Sequence, residues 1–316
     1  MVTKEQVQAA FHLILGREMH DEAIINRFIA NYKDVAALLR GFLNSEEFQI
    51  YLAREAAGST KFVHPTVAQS VDTHATEAEL KRMVKHIEES WAMLGASEPH
   101  WSVLTAARYK ADQIDANADE FFNSGKSSIS EIKTTFARNN LDLARLRSCF
   151  ELGCGVGRVS IWLAEVFDHV TAADISPAHL AIARETAKKY GRDNIDFLHV
   201  DHLKRLETIT PFDFFFSVLV FQHNPPPVIR QLLTAILSRM RPAGVALFQI
   251  PSAIRNYAFS SATYPANPAG AMEMHAFPER EFFKLVAEQG CDVIEFRTDL
   301  HTNVNMLSHT VVLQKA

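Results

Sequence analysis

Three glycines at alternating positions mark the segment best suited to hold a ligand. They are Gly153, Gly155 and Gly157, in the sequence CFELGCGVGR of residues 149–158, which joins an apolar run to a helical stretch. Glycines there let the main chain turn sharply and let a ligand approach it, and the start of a helix offers free N–H groups. A dinucleotide fingerprint would need a further glycine at position 158, where the chain has arginine. Three glycines alone do not distinguish a ligand loop from a glycine-rich turn.

Two carboxylates end the apolar runs that follow this loop. Asp174 comes about 20 residues after the first glycine, where a carboxylate in a nucleotide-binding sheet accepts hydrogen bonds from ribose hydroxyls. Asp201 ends the next apolar run. The alternatives are an ordinary helix-start acid at Asp174 and a solvated loop acid at Asp201.

The pattern [Glu/Asp]-x-Gly-x-Gly-x-Gly over residues 151–157 resembles the cofactor loop of class I S-adenosylmethionine-dependent methyltransferases. The run PFDFFFSVLVFQH at 211–223 and the turn MRPAG at 240–244 are similar to the fourth strand of that family and its turn into the fifth. The resemblance covers residues 146–316 and implies S-adenosylmethionine as cofactor.

The resemblance also implies which residues contact this cofactor. In that family an acid at the position of Asp201 meets the adenine amino group, and the following side chain, here His202, lies beside the ring. The end of the fourth strand, with Ser217, lies along the methionine part. The implied cofactor-binding residues are Glu151, Gly153, Gly155, Gly157, Asp174, Ile175, Asp201, His202 and Ser217.

Candidate catalytic and substrate-binding residues follow strands four and five. Methyl transfer to a hydroxyl needs a base near the methyl group, whereas an amine only has to arrive uncharged. His223 directly follows strand four and precedes three stiffening prolines, so we expect it to be catalytic, the alternative being a structural hydrogen bond. The aperiodic insertion 251–277 favours a lid. It supplies His275 as a second catalytic candidate and Arg255 and Tyr257 as substrate contacts, unless it packs on the N-terminal helices.

Apolar runs alternate with helical stretches through the second half of the chain. The runs are 148–152, 169–174, 195–200, 212–221 and 244–250, and the helical stretches are 157–167, 177–190, 226–240 and 278–289. Two last strands, 293–297 and 309–314, have no helix between them. The fold class predicted is α/β, a Rossmann-like, doubly wound, mostly parallel seven-stranded sheet ending in an antiparallel hairpin, with an N-terminal helical domain.

The sequence predicts four regions. They are a helical bundle at 1–58, a linker at 59–76, a helical cover at 77–145 and the cofactor-binding domain at 146–316. The bundle resembles a short helical module of bacterial surface proteins and polysaccharide-cluster enzymes, with a break at 16–18 and a helix starting at 46–47. In the cover region, Trp101 is a candidate stacking platform for a substrate ring, or else a core anchor.

Composition excludes several classes of protein. The 316 residues carry 32 lysines and arginines against 37 aspartates and glutamates, a net charge of −5, which disfavours a nucleic-acid binder. Asn224-Pro225-Pro226 also lacks the following aromatic that would stack a flipped base. Three scattered cysteines fit neither a disulfide framework nor a zinc site, and we expect no metal. Without a signal peptide or a membrane-spanning run, a cytoplasmic location is expected.

These observations predict an S-adenosylmethionine-dependent methyltransferase that acts on a small-molecule or carbohydrate hydroxyl by in-line transfer. A carbohydrate acceptor is expected only because modules similar to the N-terminal one occur in enzymes of polysaccharide gene clusters. This module could also bind a protein partner. Two alternatives stay open: an N-methyltransferase, and a non-catalytic protein that binds the cofactor or recruits a partner. A nicotinamide-dependent oxidoreductase is disfavoured by the glycine spacing and by the antiparallel end of the sheet.

Overall fold

The computed structural model describes residues 2–15, 19–45, 48, 70–265, 267–299, 301–302 and 305–316. The chain forms two compact units, Met1–His64 and Pro65–Ala316. The predicted break at 16–18, the predicted helix start at 46–47 and the first part of the predicted linker, 59–69, lie outside the described residues.

The described part of the first unit consists of helices. They are α1 Lys4–Leu15, α2 Glu22–Asn31 and α3 Val35–Leu43. Asp21 and Asp34 precede the second and third helices, and their carboxylates accept hydrogen bonds from N–H groups of the first turn. Phe11, Phe28 and Phe42 pack against one another, with ring centroids 4.8 to 5.2 Å apart. These rings and buried aliphatic side chains such as Ile25 and Leu38 form the core of the described part of this unit.

The second unit alternates strands with helices. The helices are α4 Glu77–Ser97, α5 Ile114–Asn123, α6 Lys126–Arg138, α7 Ser160–Leu163, α8 Pro177–Lys189, α9 Pro226–Arg239 and α10 Glu279–Glu288. The strands are β1 Ser148–Leu152, β2 His169–Asp174, β3 Ile195–His199, β4 Phe212–Ser217, β5 Met240–Ile254, β6 Cys291–Thr298 and β7 Met306–Lys315.

These strands form one sheet in the order β3-β2-β1-β4-β5-β7-β6. Strands β1 to β5 pair in parallel, whereas β7 is antiparallel to both of its neighbours, β5 and β6. The predicted fold class, a Rossmann-like sheet that ends in an antiparallel hairpin, is confirmed.

Helices cover both faces of the sheet. Phe150, Phe215 and Phe248 pack with side chains of α4, α9 and α10 on one face. Phe214 and Phe216 pack with side chains of α6, α7 and α8 on the other. Successive side chains of a strand point to opposite faces, so a strand covered on both sides is apolar throughout. This accounts for the phenylalanine-rich sequence of β4.

Several elements differ from their predicted spans. The helix predicted over 157–167 shortens to α7, because i→i+3 hydrogen bonds typical of turns flank it. The strand predicted over 212–221 shortens to β4, since Leu219, with φ 64°, turns the chain. Strand β5 exceeds the predicted 244–250 because β7 pairs with it as far as Ile254.

Among the described residues, no helix is both long and apolar enough to cross a membrane. Within the described ranges, no group of three or more histidine, cysteine, aspartate or glutamate side chains is placed to hold a metal ion. Cys149, Cys154 and Cys291 are buried free thiols.

Candidate active site

The glycine loop, residues 153–157, and Asp174 lie together at the carboxyl edge of the sheet. Asp174 is the last residue of β2, which pairs directly with β1. One of its carboxylate oxygens accepts a hydrogen bond from Gly155 N–H and the other from Ser176 N–H, each at 2.8 Å. The residue is 8% exposed, and each oxygen keeps a lone pair for a further donor. A fixed carboxylate therefore faces the loop.

A cleft of about 1130 Å³, counted with its opening to solvent, lies beside this carboxylate. It is mostly apolar, and six of the residues predicted from the sequence line it. Its lining includes Val84, Ile87, Trp91, Ser102, Val103, Glu151, Gly153, Gly155, Asp174, Ile175, His179, Val200, Leu203, Leu219, Val220, His223 and Asn224.

Two valines lie directly on the glycine loop. Gly153 has φ +75°, and a Cβ atom there would come within 2.2 Å of Cγ2 of Val220, which follows β4. A Cβ atom on Gly155 would come within 2.7 Å of Val103, which follows α4. Gly157 packs against α8 instead and does not line the cleft. Side chains from opposite walls thus meet the main chain at the first two glycines.

Glu151 is a buried acid in the wall of the cleft. It is 3% exposed and accepts a hydrogen bond from the hydroxyl of Ser160. Burial raises the pKa of Glu151 to about 7, and the charge of Asp174 adds to the rise, while Ser160 and Arg158 act in the opposite direction. Its carboxyl group is therefore partly protonated at neutral pH.

This raised pKa predicts a pH-dependent stability. Between pH 4.5, the ordinary value, and about pH 7, folded Glu151 holds a proton that the unfolded chain lacks. The stability it contributes is present below that window and lost as the pH rises through it. Between about pH 5 and pH 8, we expect the free energy of unfolding of wild type to fall by about 3 kcal/mol relative to that of Glu151→Gln. Urea unfolding at both pH values measures this difference.

The control for this prediction is Glu207→Gln, which removes an exposed carboxylate of the same unit. Its difference from wild type should not change with pH. A difference between wild type and Glu151→Gln that is equally large at both pH values would contradict the raised pKa.

Helix α4 and the turn after it cover the cleft. The ring centroid of Trp91 on α4 lies 5.2 Å from that of His223 and 6.2 Å from that of His179. The hydroxyl of Ser102, in the turn, lies 2.9 Å from Nε2 of His179 on α8. The cover is therefore in contact with both the β2 side and the β4 side of the cleft.

A strained turn leads from β4 into the cleft. Leu219 has φ 64°, and its N–H donates to Oε1 of Gln249 on β5 at 3.1 Å. The amide of Gln249 donates in turn to the hydroxyl of Ser308 on β7 at 2.6 Å. The antiparallel end of the sheet thus fixes the turn that precedes His223.

His223 carries an uncharged imidazole. Its Nδ1 lies 2.9 Å from the carbonyl oxygen of Glu273, and its Nε2 lies 3.2 Å from the side-chain nitrogen of Gln222. Burial lowers the pKa of His223 to about 4, although the hydrogen bond to Glu273 opposes this and His275 assists it. The ring is therefore neutral at physiological pH, with the proton on Nδ1 and a lone pair on Nε2.

Several predicted contact residues are not among the described residues that line the cleft. Ser217 is 1% exposed and its hydroxyl donates to a β1 carbonyl at 3.1 Å. Asp201 and His202 are exposed and approach each other to 3.6 Å, so their contacts with adenine stay predictions. Arg255 is exposed, and Trp101 is half-buried. The indole at the cleft belongs to Trp91, not to the predicted Trp101.

Tyr257 and His275 meet each other rather than the cleft. The Tyr257 hydroxyl lies 2.8 Å from Nδ1 of His275, which is 6% exposed. Nε2 of His275 lies 3.3 Å from the carboxylate of Glu273. The His275 side chain therefore does not reach the cleft directly, as its predicted catalytic role would require.

Trp91, Val103, His179 and Val220 were not among the site residues predicted from the sequence. A signal existed for Trp91, because Val84, Ile87 and Trp91 follow helical steps of three and four and all line the cleft. For the other three residues the sequence holds no comparable signal, since their neighbours come from distant elements.

The segment that builds most of the cleft is similar in sequence to a known family of protein domains. Residues 150–244, from β1 into β5, match a family model described as a methyltransferase domain. The chain contains a methyltransferase domain. No curated protein matches the sequence.

Solved structures are similar to this chain at low sequence identity. Magnesium protoporphyrin IX methyltransferase from Synechocystis PCC 6803 with bound S-adenosylhomocysteine is 15% identical, with a TM-score of 0.51 over 73% of this chain and 99% of that chain. TehB from Haemophilus influenzae is 19% identical, with a TM-score of 0.42. That match covers 54% of this chain and only 57% of that chain.

Proposed function

We propose that this protein transfers the methyl group of S-adenosylmethionine to a hydroxyl of a small-molecule acceptor. The proposal depends on one observation above all: the fixed carboxylate of Asp174 faces the glycine loop in the same cleft that His223 lines. Carbohydrate as the acceptor class, a protein partner of the N-terminal helices, and the bounds of the regions 59–76 and 77–145 stay predictions from the sequence.

The residues of the cleft fit S-adenosylmethionine. The free lone pairs of Asp174 would accept hydrogen bonds from the ribose hydroxyls. Ile175, Val200 and Leu203 would give the adenine an apolar wall, and the main chain of the glycine loop would meet the methionine part. When bound, the cofactor supplies an activated methyl group on its sulfonium.

His223 would act on the acceptor hydroxyl. Its Nε2 lone pair would accept the hydroxyl proton while the methyl group would pass from the sulfonium to the oxygen and S-adenosylhomocysteine would leave. The hydroxyl would replace Gln222 as hydrogen-bond donor. Trp91, Val103 and Val220 would exclude water from the reacting groups, which favours transfer over hydrolysis. The imidazole is neutral at physiological pH, so its lone pair is available, and the burial that keeps it neutral also makes it a weaker base than a free histidine.

Calorimetry and a labelled donor test the proposal in two steps. S-adenosylhomocysteine should bind, and NAD should not. Methyl-labelled S-adenosylmethionine is then incubated with the protein and with small hydroxylated compounds, cell-envelope glycan precursors and amines. Label in a hydroxyl compound supports the proposal, and label in amines alone would overturn the choice of hydroxyl.

The variant His223→Ala should lose turnover but keep cofactor affinity. Removal of a general base lowers kcat by about 100-fold or more, whereas the Kd for S-adenosylhomocysteine should stay unchanged. Transfer of label to the acceptor that the preceding experiment identifies measures kcat, and calorimetry measures the Kd. His169→Ala, which removes an exposed imidazole at the start of β2, is the control, and full turnover of His223→Ala would exclude the proposed role.

A further inference from the structure

The loop that carries His223 lies alongside residues 273–275, which come long after it in the chain. The N–H of His275 donates to the carbonyl oxygen of Gln222 at 2.7 Å. The carbonyl oxygen of Glu273 lies 2.9 Å from Nδ1 of His223. A carbonyl oxygen can only accept, so this contact keeps the proton of His223 on Nδ1 and the lone pair on Nε2.

The side chain of Glu273 is tied down by several donors. Nε2 of His275 lies 3.3 Å from one carboxylate oxygen, and the amide of Asn267 donates to the other at 3.0 Å. Burial opposes ionisation of Glu273, but hydrogen bonds from His275, Tyr264 and Asn267 outweigh it and lower its pKa to about 2. The residue is thus an anchored carboxylate whose own main-chain carbonyl holds His223.

The neighbours of Glu273 are themselves fixed. The Tyr257 hydroxyl lies 2.8 Å from Nδ1 of His275, and Nε2 of the same ring faces the Glu273 carboxylate, which can only accept. On helix α4, the guanidinium of Arg82 donates to the carbonyl of Tyr264 at 3.1 Å. His86, also on α4, places Nε2 3.7 Å from the Glu273 carboxylate. The anchor therefore connects the loop after β5 to the helix that covers the cleft.

We propose that Glu273 is a positioning residue that sets the tautomer of His223. Its carboxylate, held by His275, keeps its carbonyl oxygen against Nδ1, so that Nε2 of His223 can accept from the methyl acceptor. The catalytic consequence rests on the proposed function, whereas the tautomer itself does not. His275 then acts through Glu273 and not on the substrate.

Nitrogen NMR of the full chain with 15N-labelled histidine tests this directly. The shifts of the two ring nitrogens distinguish the protonated from the unprotonated one, and the signals lost in His223→Ala identify the ring. In wild type at neutral pH, the proton should lie on Nδ1. In Glu273→Ala it should move to Nε2, in whole or in part, and Glu273→Gln, which keeps an acceptor for His275, should restore Nδ1. The exposed Glu288→Ala is the control.

Two results would overturn the proposal. One is a wild-type His223 with its proton on Nε2, which decides the matter even if Glu273→Ala does not fold. The other is a folded Glu273→Ala that keeps the wild-type tautomer. Calorimetry with S-adenosylhomocysteine on the same samples separates this proposal from the proposed function, whose failure would show as absent binding in wild type. With an acceptor in hand, Glu273→Ala should lower kcat about tenfold or more with little change in KM.

Discussion

Asp174→Ala should weaken the binding of S-adenosylhomocysteine by about 3 kcal/mol, or roughly 100-fold in Kd. The reason is that the ribose hydroxyls would lose a charged acceptor inside a largely apolar cleft, where water replaces it poorly. The carboxylate is held by the N–H groups of Gly155 and Ser176 and is 8% exposed. Calorimetric titration of purified variant and wild type measures the difference.

Two further variants make this result specific. Asp196→Ala removes an acid of β3 whose side chain is 81% exposed, and its Kd should stay at the wild-type value. Asp174→Asn keeps one acceptor oxygen and should lose less affinity than Asp174→Ala. Thermal unfolding is measured first, because Asp174→Ala also leaves two main-chain donors without their partner. A folded Asp174→Ala with wild-type Kd would refute the ribose-binding role.

Gly153→Ala should lower the free energy of unfolding by about 3 kcal/mol and abolish detectable cofactor binding. The residue has φ +75°, a conformation that costs a residue with a Cβ atom about 1 kcal/mol or more. The added methyl would also lie 2.2 Å from Cγ2 of Val220, so the loop or the turn after β4 must move. Urea unfolding and calorimetry measure the two effects.

A control and a rescue separate the two causes. Gly191 also has positive φ, +63°, but a Cβ atom there would meet nothing within 4 Å. Gly191→Ala should therefore show only the backbone cost, about 1 kcal/mol. The double variant Gly153→Ala with Val220→Ala removes the overlap and should recover part of the loss. No recovery in the double variant would mean that the overlap with Val220 does not cause the destabilisation.

The arrangement of the glycine loop and Asp174 followed from sequence because it depends on local and topological rules. Parallel strands separated by helices bring their carboxyl ends to one edge of the sheet, so a loop after β1 and an acid at the end of β2 must lie side by side. The structure places the Asp174 carboxylate 2.8 Å from Gly155 N. The strand and helix alternation that leads to this result is visible in the apolar runs themselves.

The positions of His275, Tyr257 and Trp101 could not be predicted from the sequence in the same way. Their positions depend on how the long segment after β5 and the turn after α4 fold back, and neither segment has a periodic pattern. In the structure, His275 contacts Tyr257 and the main chain of Gln222, while the indole at the cleft is that of Trp91 and not that of Trp101. Hydrogen bonds between residues distant in sequence decide these placements.

The amino-acid pattern alone was sufficient for the class of fold, the edge of the sheet that carries the candidate cofactor site, and the loop and acid that lie there together. Periodicity and strand order follow from local sterics and from the short connections between neighbouring elements. The protonation of Glu151 and of His223, and the valines that contact the loop, depend on burial and on contacts across the fold. Such properties arise only when the packed protein excludes water and brings distant side chains within hydrogen-bonding distance.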